Sequence, residues 1–238
     1  MSSLIQYSQE GEVAHLVLDR ATEGNRLTNA MAQHLIEGLD AAKDSALILL
    51  RANGEDFCLG RDMPPPTPGA GINALDVLRD DANPMIALFE AFRRRQQPII
   101  GVVQGKAWGI GTVLAAMCDV TLAASDSSFR LRELERGIPP CIAMAPLLDR
   151  IPDKALAYLV YSAEIMPADD ALQYGLVSAL HPAAQLQAAT DTLVARILGF
   201  PPQAVLAVKQ YLGSAPRRQG ANAELYGASL LANVLGSR

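Results

Sequence analysis

The sequence predicts an α/β core with a helical C-terminal region. Two patterns carry this prediction. Through the first half, short apolar runs of strand length alternate with stretches of helical spacing, the order expected of βα units. From about Cys141 onward helical spacing dominates. Length adds a third constraint: 238 residues make one large domain or two small ones, enough to bury a core without disulfide staples.

Glu12 to Leu18 alternates apolar and polar residues and then turns continuously apolar, as a strand does. Leu27, Met31, Leu35 and Leu39 recur at every fourth position and mark one face of a helix, with Thr28 or Asn29 as its cap. Ala46 to Leu50 reads as a buried strand, followed by the turn pair Asn53-Gly54. Met63 to Gly71 holds four prolines and two glycines in nine residues and predicts a loop. Asn83-Pro84 predicts a helix start, with Asn as cap and Pro in the first turn. That helix carries Ile86, Leu88, Phe89 and Phe92 and must end before Pro98. Ile99 to Val103 and Val120 to Ala124 are two more strands. Met166-Pro167-Ala168 opens a helix that stops at Gly175, His181-Pro182 breaks the chain, and Pro201-Pro202 separates the last helices.

Composition excludes several classes. Half the residues are apolar and 19% are charged, the balance of a folded globular chain. The net charge of −5 and the absence of a basic patch argue against nucleic-acid binding; Arg93-Arg94-Arg95 is a single run at a helix end, where it complements the dipole. Three widely spaced cysteines, Cys58, Cys118 and Cys141, make neither a disulfide framework nor a metal cluster, which fits a reducing cytoplasm. The histidines, His15, His34 and His181, are equally scattered. The N-terminus lacks a charged and apolar leader, and no apolar run reaches the roughly 20 residues of a membrane span.

Three segments could carry chemistry. Phe57-Cys58-Leu59-Gly60-Arg61-Asp62 follows a strand, and its glycine allows close backbone approach, although a simple turn also explains it. Gln104 to Gly111 joins a strand to a predicted buried helix through a glycine-rich turn. The free N–H groups at such a helix start suit a phosphate or a reaction oxyanion; close packing of helix on sheet is the competing explanation. The segment is neither a P-loop nor a G-x-G-x-x-G fingerprint. Phe129 to Gly137 has five charged residues in nine and, by default, is a solvated turn laced with ion pairs.

Together these segments resemble the crotonase, or enoyl-CoA hydratase/isomerase, superfamily. Phe57–Met63 is similar to its F-C-x-G-x-D-[LM] motif. Pro98–Asp119 resembles the signature P-x-I-x-x-V-x-G-x-A-x-G-x-G-x-x-L-x-x-x-C-D. Asn25–Thr28, Pro167–Val177 and Ala207–Leu212 resemble further family segments, in family order along almost the whole chain. The resemblance implies a spiral of ββα units over residues 1–180, holding an acyl-CoA site, and a C-terminal helical trimerisation region over residues 181–238. It implies a homotrimer or dimer of trimers, an acyl-CoA substrate, no metal and no separate cofactor. By motif position, the backbone N–H groups of Arg61 and Ile110, each following a glycine (Gly60 and Gly109), would hold the thioester oxygen. Arg26 would meet the adenine through its main chain, and Lys209 would approach the CoA phosphates.

The acid–base positions narrow the expected reaction. Where hydratases of the family carry one glutamate, this chain has Val113. The second matches Glu133, with Arg132 in place of the usual proline. Moving a double bond needs one base, whereas hydration is easiest with two groups sharing a water. The resemblance therefore implies isomerase-type proton transfer by Glu133, with Glu135 as the alternative base if the register shifts by two. Hydratase or thioester hydrolase chemistry using Glu133 alone, and an acyl-CoA-binding paralogue with little turnover, stay open. Pro140 to Pro146 replaces the usual small glycines; Ile142 and Met144 would line an acyl pocket or pack in the core, and the Met63–Gly71 loop would wall that pocket.

Overall fold

A computed structural model describes residues 4–62, 77–148 and 150–214. Its main sheet has six strands: β1 (Ile5–Glu10), β2 (Val13–Leu18), β3 (Leu47–Ala52), β4 (Ile99–Val103), β6 (Val120–Ala124) and β9 (Ala179–His181), in that spatial order. The β1–β2 pair is antiparallel and every other pair is parallel. A second sheet joins β5 (Lys106–Trp108), β7 (Ser128–Arg130) and β8 (Met166–Pro167). The chain thus steps repeatedly from a long strand of the first sheet to a short strand of the second, and β5 leads on into helix α3 (Ile110–Met117).

The central strands are covered on both faces, which explains their unbroken apolar runs. Leu47 to Leu50 are all buried, as are all five residues of β4. One face packs against α1 (Asn29–Ala41), α2 (Asn83–Arg94) and α3 in a single large core. The other packs against α7 (Ala183–Leu198), whose Leu193, Val194 and Ile197 meet Val13, Leu47, Leu49 and Ile100. The remaining helices are α4 (Cys141–Met144), α5 (Asp153–Ser162), α6 (Ala168–Gln173) and α8 (Pro202–Ser214). Among the described residues no helix is long and apolar enough to cross a membrane.

Most elements lie where sequence periodicity puts them. Thr28 caps α1, its hydroxyl accepting the Met31 N–H at 3.1 Å. Asn83 differs. It is not a cap but a helical residue, because a π-helical turn over Leu78–Ala82 runs straight into α2. The wider turn accommodates Pro84, whose ring clashes with the preceding turn of a regular α-helix. The Met63–Gly71 loop lies outside the described residues, as does the C-terminal region beyond residue 214.

Candidate active site

Two strand-to-turn exits and one short helical turn meet at one place. The first exit follows β3. Cys58 bridges to Ala107, and Arg61 bridges to Leu27. The second bridge uses the Gly60 carbonyl, which accepts the Leu27 N–H at 2.9 Å, and the Asp62 N–H, which donates to the Leu27 carbonyl at 3.0 Å. The Arg61 N–H is left out of this ladder.

The second exit follows β4 and β5. Its turn is fixed by the Trp108 N–H donating to the Cys58 carbonyl at 2.8 Å and the Gly109 N–H donating to the Arg130 carbonyl at 2.7 Å. Helix α3 then begins, and the Val113 N–H closes its first turn on the Gly109 carbonyl. The Ile110 N–H therefore stands at the helix start with no intrahelical acceptor, at the positive end of the helix dipole. Gly109 has φ +54° and ψ −121°, a region closed to side chains. Space demands glycine too: a Cβ there would lie 3.3 Å from Gly60 Cα and 3.1 Å from Glu133 Oε1. Gly60, Gly109 and Glu133 are thus neighbours, and the Arg61 and Ile110 peptides adjoin the two glycines.

Glu133 opens a 3-10 turn, Glu133–Arg136, that ends at Gly137 in the left-handed region. Its Oε2 is buried without a hydrogen-bond partner among the described residues. Desolvation pushes its pKa above the ordinary 4.5; its own backbone N–H, that of Arg132, and the Arg136 and Arg132 charges pull the other way. Glu135 differs sharply. Its carboxylate pairs with Arg130 and, at 3.3 Å, with Arg132. Glu135 is thus committed to two cations, whereas Glu133 keeps one buried oxygen without a hydrogen-bond partner among the described residues. Val113 is fully buried among apolar neighbours. This constellation can hold an oxyanion on two N–H groups beside one proton-accepting carboxylate.

A groove of about 430 Å³ adjoins the first exit, lined by Arg20, Thr22, Glu23, Gly24, Arg26, Leu59 and Asp62. Arg26 reaches the Leu59 carbonyl at 3.0 Å, while its own carbonyl accepts from Arg20 at 3.1 Å. Arg20 also pairs with Asp62 at 2.6 Å. Asn25 underpins this wall. It is buried, with φ +51°, and its amide donates to the Asn53 and Asp56 carbonyls while its oxygen accepts the Arg20 N–H. Asn25 lies in the Asn25–Thr28 segment that the resemblance singled out, but its positive φ and its buried bonds are not displayed by sequence.

Lys209 stands elsewhere. Its ammonium sits 2.7 Å from both Asp119 carboxylate oxygens, at the far end of α3 from Ile110. Eight helical residues at about 1.5 Å each put that end about 12 Å away. Within the chain, the largely buried Asp119 carboxylate holds this ammonium. Ile142 is partly exposed, whereas Met144 packs against the main core.

The model of the enoyl-CoA hydratase/isomerase family matches residues 8–233. The chain belongs to that family. A 2,3-dehydroadipyl-CoA hydratase of Escherichia coli K12 is 32% identical over 216 residues, covering 89% of this chain and 82% of the relative. Enoyl-CoA hydratase domain-containing protein 3, mitochondrial, of Mus musculus is 28% identical over 79% of this chain, which spans 63% of that longer protein. Among solved structures, an enoyl-CoA hydratase of Mycobacterium smegmatis superposes with a TM-score of 0.89 at 24% identity, covering 98% of this chain and 91% of that one, so the fold is the family's.

Proposed function

We propose that this member of the enoyl-CoA hydratase/isomerase family shifts a double bond in an enoyl-CoA thioester, with Glu133 as the single base. The carboxylate takes a proton from C2 of a 3-enoyl thioester. The electron pair passes to the thioester carbonyl, and the N–H groups of Arg61 and Ile110 hold the resulting enolate oxygen. The same carboxyl returns the proton at C4, leaving the conjugated 2-enoyl thioester. The observation that carries this reading is the Glu133 carboxylate, whose Oε2 is buried without a partner among the described residues and whose Oε1 lies against Gly109, in a chain where the buried Val113 offers no second acid or base. The Arg20–Arg26 groove, with backbone and guanidinium donors, supports binding of the CoA end, Arg26 included.

Hydration is the second reading, favoured by the hydratase names of the relatives. Incubation with 3-enoyl- and 2-enoyl-CoA in D₂O, followed by chromatography and mass spectrometry, separates the two. Deuterium uptake with double-bond migration is expected. Addition of the elements of water would establish hydration, release of free CoA would mean thioester hydrolysis, and no change across the panel would favour a binding paralogue. A homotrimer or dimer of trimers belongs to the same proposal. It is supported by Tyr158 and Tyr161 of α5, which leave 62% and 81% of their surface exposed, and is tested by light scattering.

A further inference from the structure

The turn that carries Glu133 is poorly anchored by its own residues. None of Glu133–Arg136 is buried, and Leu134, its apolar member, is 38% exposed. Among the described residues, short-range backbone bonds close it: the Glu135 N–H to Arg132, the Gly137 N–H to Leu134 and the Ile138 N–H to Glu133. Such bonds shape a turn but do not fix it relative to a neighbouring segment. Something else must set the distance from the Glu133 carboxylate to the Gly109–Ile110 peptide.

Arg130 touches both partners. Through its main chain it accepts the Gly109 N–H at 2.7 Å and the Thr112 hydroxyl at 3.2 Å, fixing the turn from which the Ile110 N–H projects. Through its side chain it grips Glu135, two residues after Glu133. The guanidinium is itself held from three sides. Its Nε donates to the Ala163 carbonyl at the end of α5 at 2.7 Å, its face lies 5.6 Å from the Trp108 ring centroid, and Glu135 takes Nη2. Arg132 adds a second cation on the other Glu135 oxygen. A forked, largely buried guanidinium loses little freedom per bond, so it can act as a rigid strut.

We propose that Arg130 is a positioning residue for the reaction, setting the distance between the Glu133 carboxylate and the Ile110 N–H through Glu135. This rests on the reading of Glu133 as base. Arg130 touches no substrate in this scheme. Loosening the strut lets the 3-10 turn swing outward, which separates base and oxyanion donor and wets the carboxylate. A displacement near 1 Å is worth about 100-fold in rate.

The test measures C2 proton exchange of an enoyl-CoA in D₂O for the full-length wild type, Arg130→Met, Arg130→Lys, Glu135→Gln, Glu133→Gln and the double variant Arg130→Met/Glu133→Gln. Thermal unfolding checks each fold. Arg130→Met is expected to lower kcat by about 10- to 100-fold with KM nearly unchanged, and to move the acid limb of the rate profile down towards an ordinary carboxylate. Lysine should restore part of the rate. Adding Arg130→Met to Glu133→Gln should change nothing further. If Arg130→Met does not fold, Glu135→Gln carries the test, since it cuts the strut and leaves the Ala163 and Trp108 contacts intact; it should show a smaller loss in the same direction. An unchanged kcat in Arg130→Met or Glu135→Gln, with Glu133→Gln inactive, overturns the strut and leaves the base assignment standing. Full exchange in Glu133→Gln overturns the base assignment, and the strut with it.

Discussion

Replacing Gly109 by alanine tests the packed meeting of the two turns and the carboxylate. Two separate terms act on the variant. The backbone sits at φ +54°, ψ −121°, where a side chain costs about 1–3 kcal/mol. The new methyl also enters a gap bounded by Gly60 Cα at 3.3 Å and Glu133 Oε1 at 3.1 Å. Both contacts are tighter than ordinary van der Waals approach, so Gly60 or Glu133 must yield. Gly11 supplies the control. It too has positive φ, +59°, but an added Cβ meets nothing within 4 Å, and it turns the remote β1–β2 hairpin. In a chain of this size each 1 kcal/mol lowers Tm by about 2–4 °C. Gly11→Ala should therefore lose about 2–8 °C from about 1–2 kcal/mol of left-handed strain and keep its activity. Gly109→Ala should lose at least as much stability and, in addition, about 100-fold in kcat as Glu133 is displaced from the Ile110 N–H. Differential scanning calorimetry and the D₂O exchange assay read the two effects. Equal rates in the two alanine variants would refute the proposed crowding of Gly60, Gly109 and Glu133.

Three further outcomes are expected. Burial holds Glu133 above its ordinary pKa of 4.5, so the folded state favours its protonated form; the associated stability is present below 4.5 and lost as pH rises through the higher folded value. Glu133→Gln should thus raise Tm at neutral pH and not at pH 4, while abolishing exchange, and a Tm unchanged at both pH values would contradict that environment. Lys209→Met strips a cation from Asp119, which also accepts the Ile99 N–H, in a pair whose side chains are only 12% and 14% exposed; unfolding should become easier by about 3 kcal/mol, with KM for a CoA thioester unchanged in steady-state assays. Asn25→Ala removes three part-buried hydrogen bonds and leaves alanine at φ +51°, so denaturant titration should show a loss of about 3 kcal/mol, with a raised KM from the slackened groove wall.

How much of this was legible beforehand follows from range of interaction. The runs at Val13–Leu18, Ile99–Val103 and Val120–Ala124 are local patterns of apolar side chains, and they became strands where expected. The strand β1 escaped notice because it is an edge strand with five of six residues exposed, so it carries no apolar period. The three-residue strands β5 and β7 form through long-range pairing, with each other across an intervening helix and strand and with Cys58 and β8, and three residues cannot display a periodicity. Asn83 was misread as a cap because the π turn that absorbs Pro84 leaves no mark in composition.

The same division runs through the site. The glycine spacing of the two turns, the carboxylate near Phe129–Gly137 and the valine at 113 are covalent facts, and by themselves they determined the family and the kind of chemistry to expect. Which carboxylate stands free was a tertiary decision. Glu133 and Glu135 are two residues apart in one short turn, yet Arg130, reaching from β7, neutralises one while Gly109 admits the other to a dry neighbourhood. Lys209 met the same logic, since Asp119 lies 90 positions away in sequence and 2.7 Å away in space. Charge, burial and partner are properties of the folded neighbourhood, and a linear motif does not specify them.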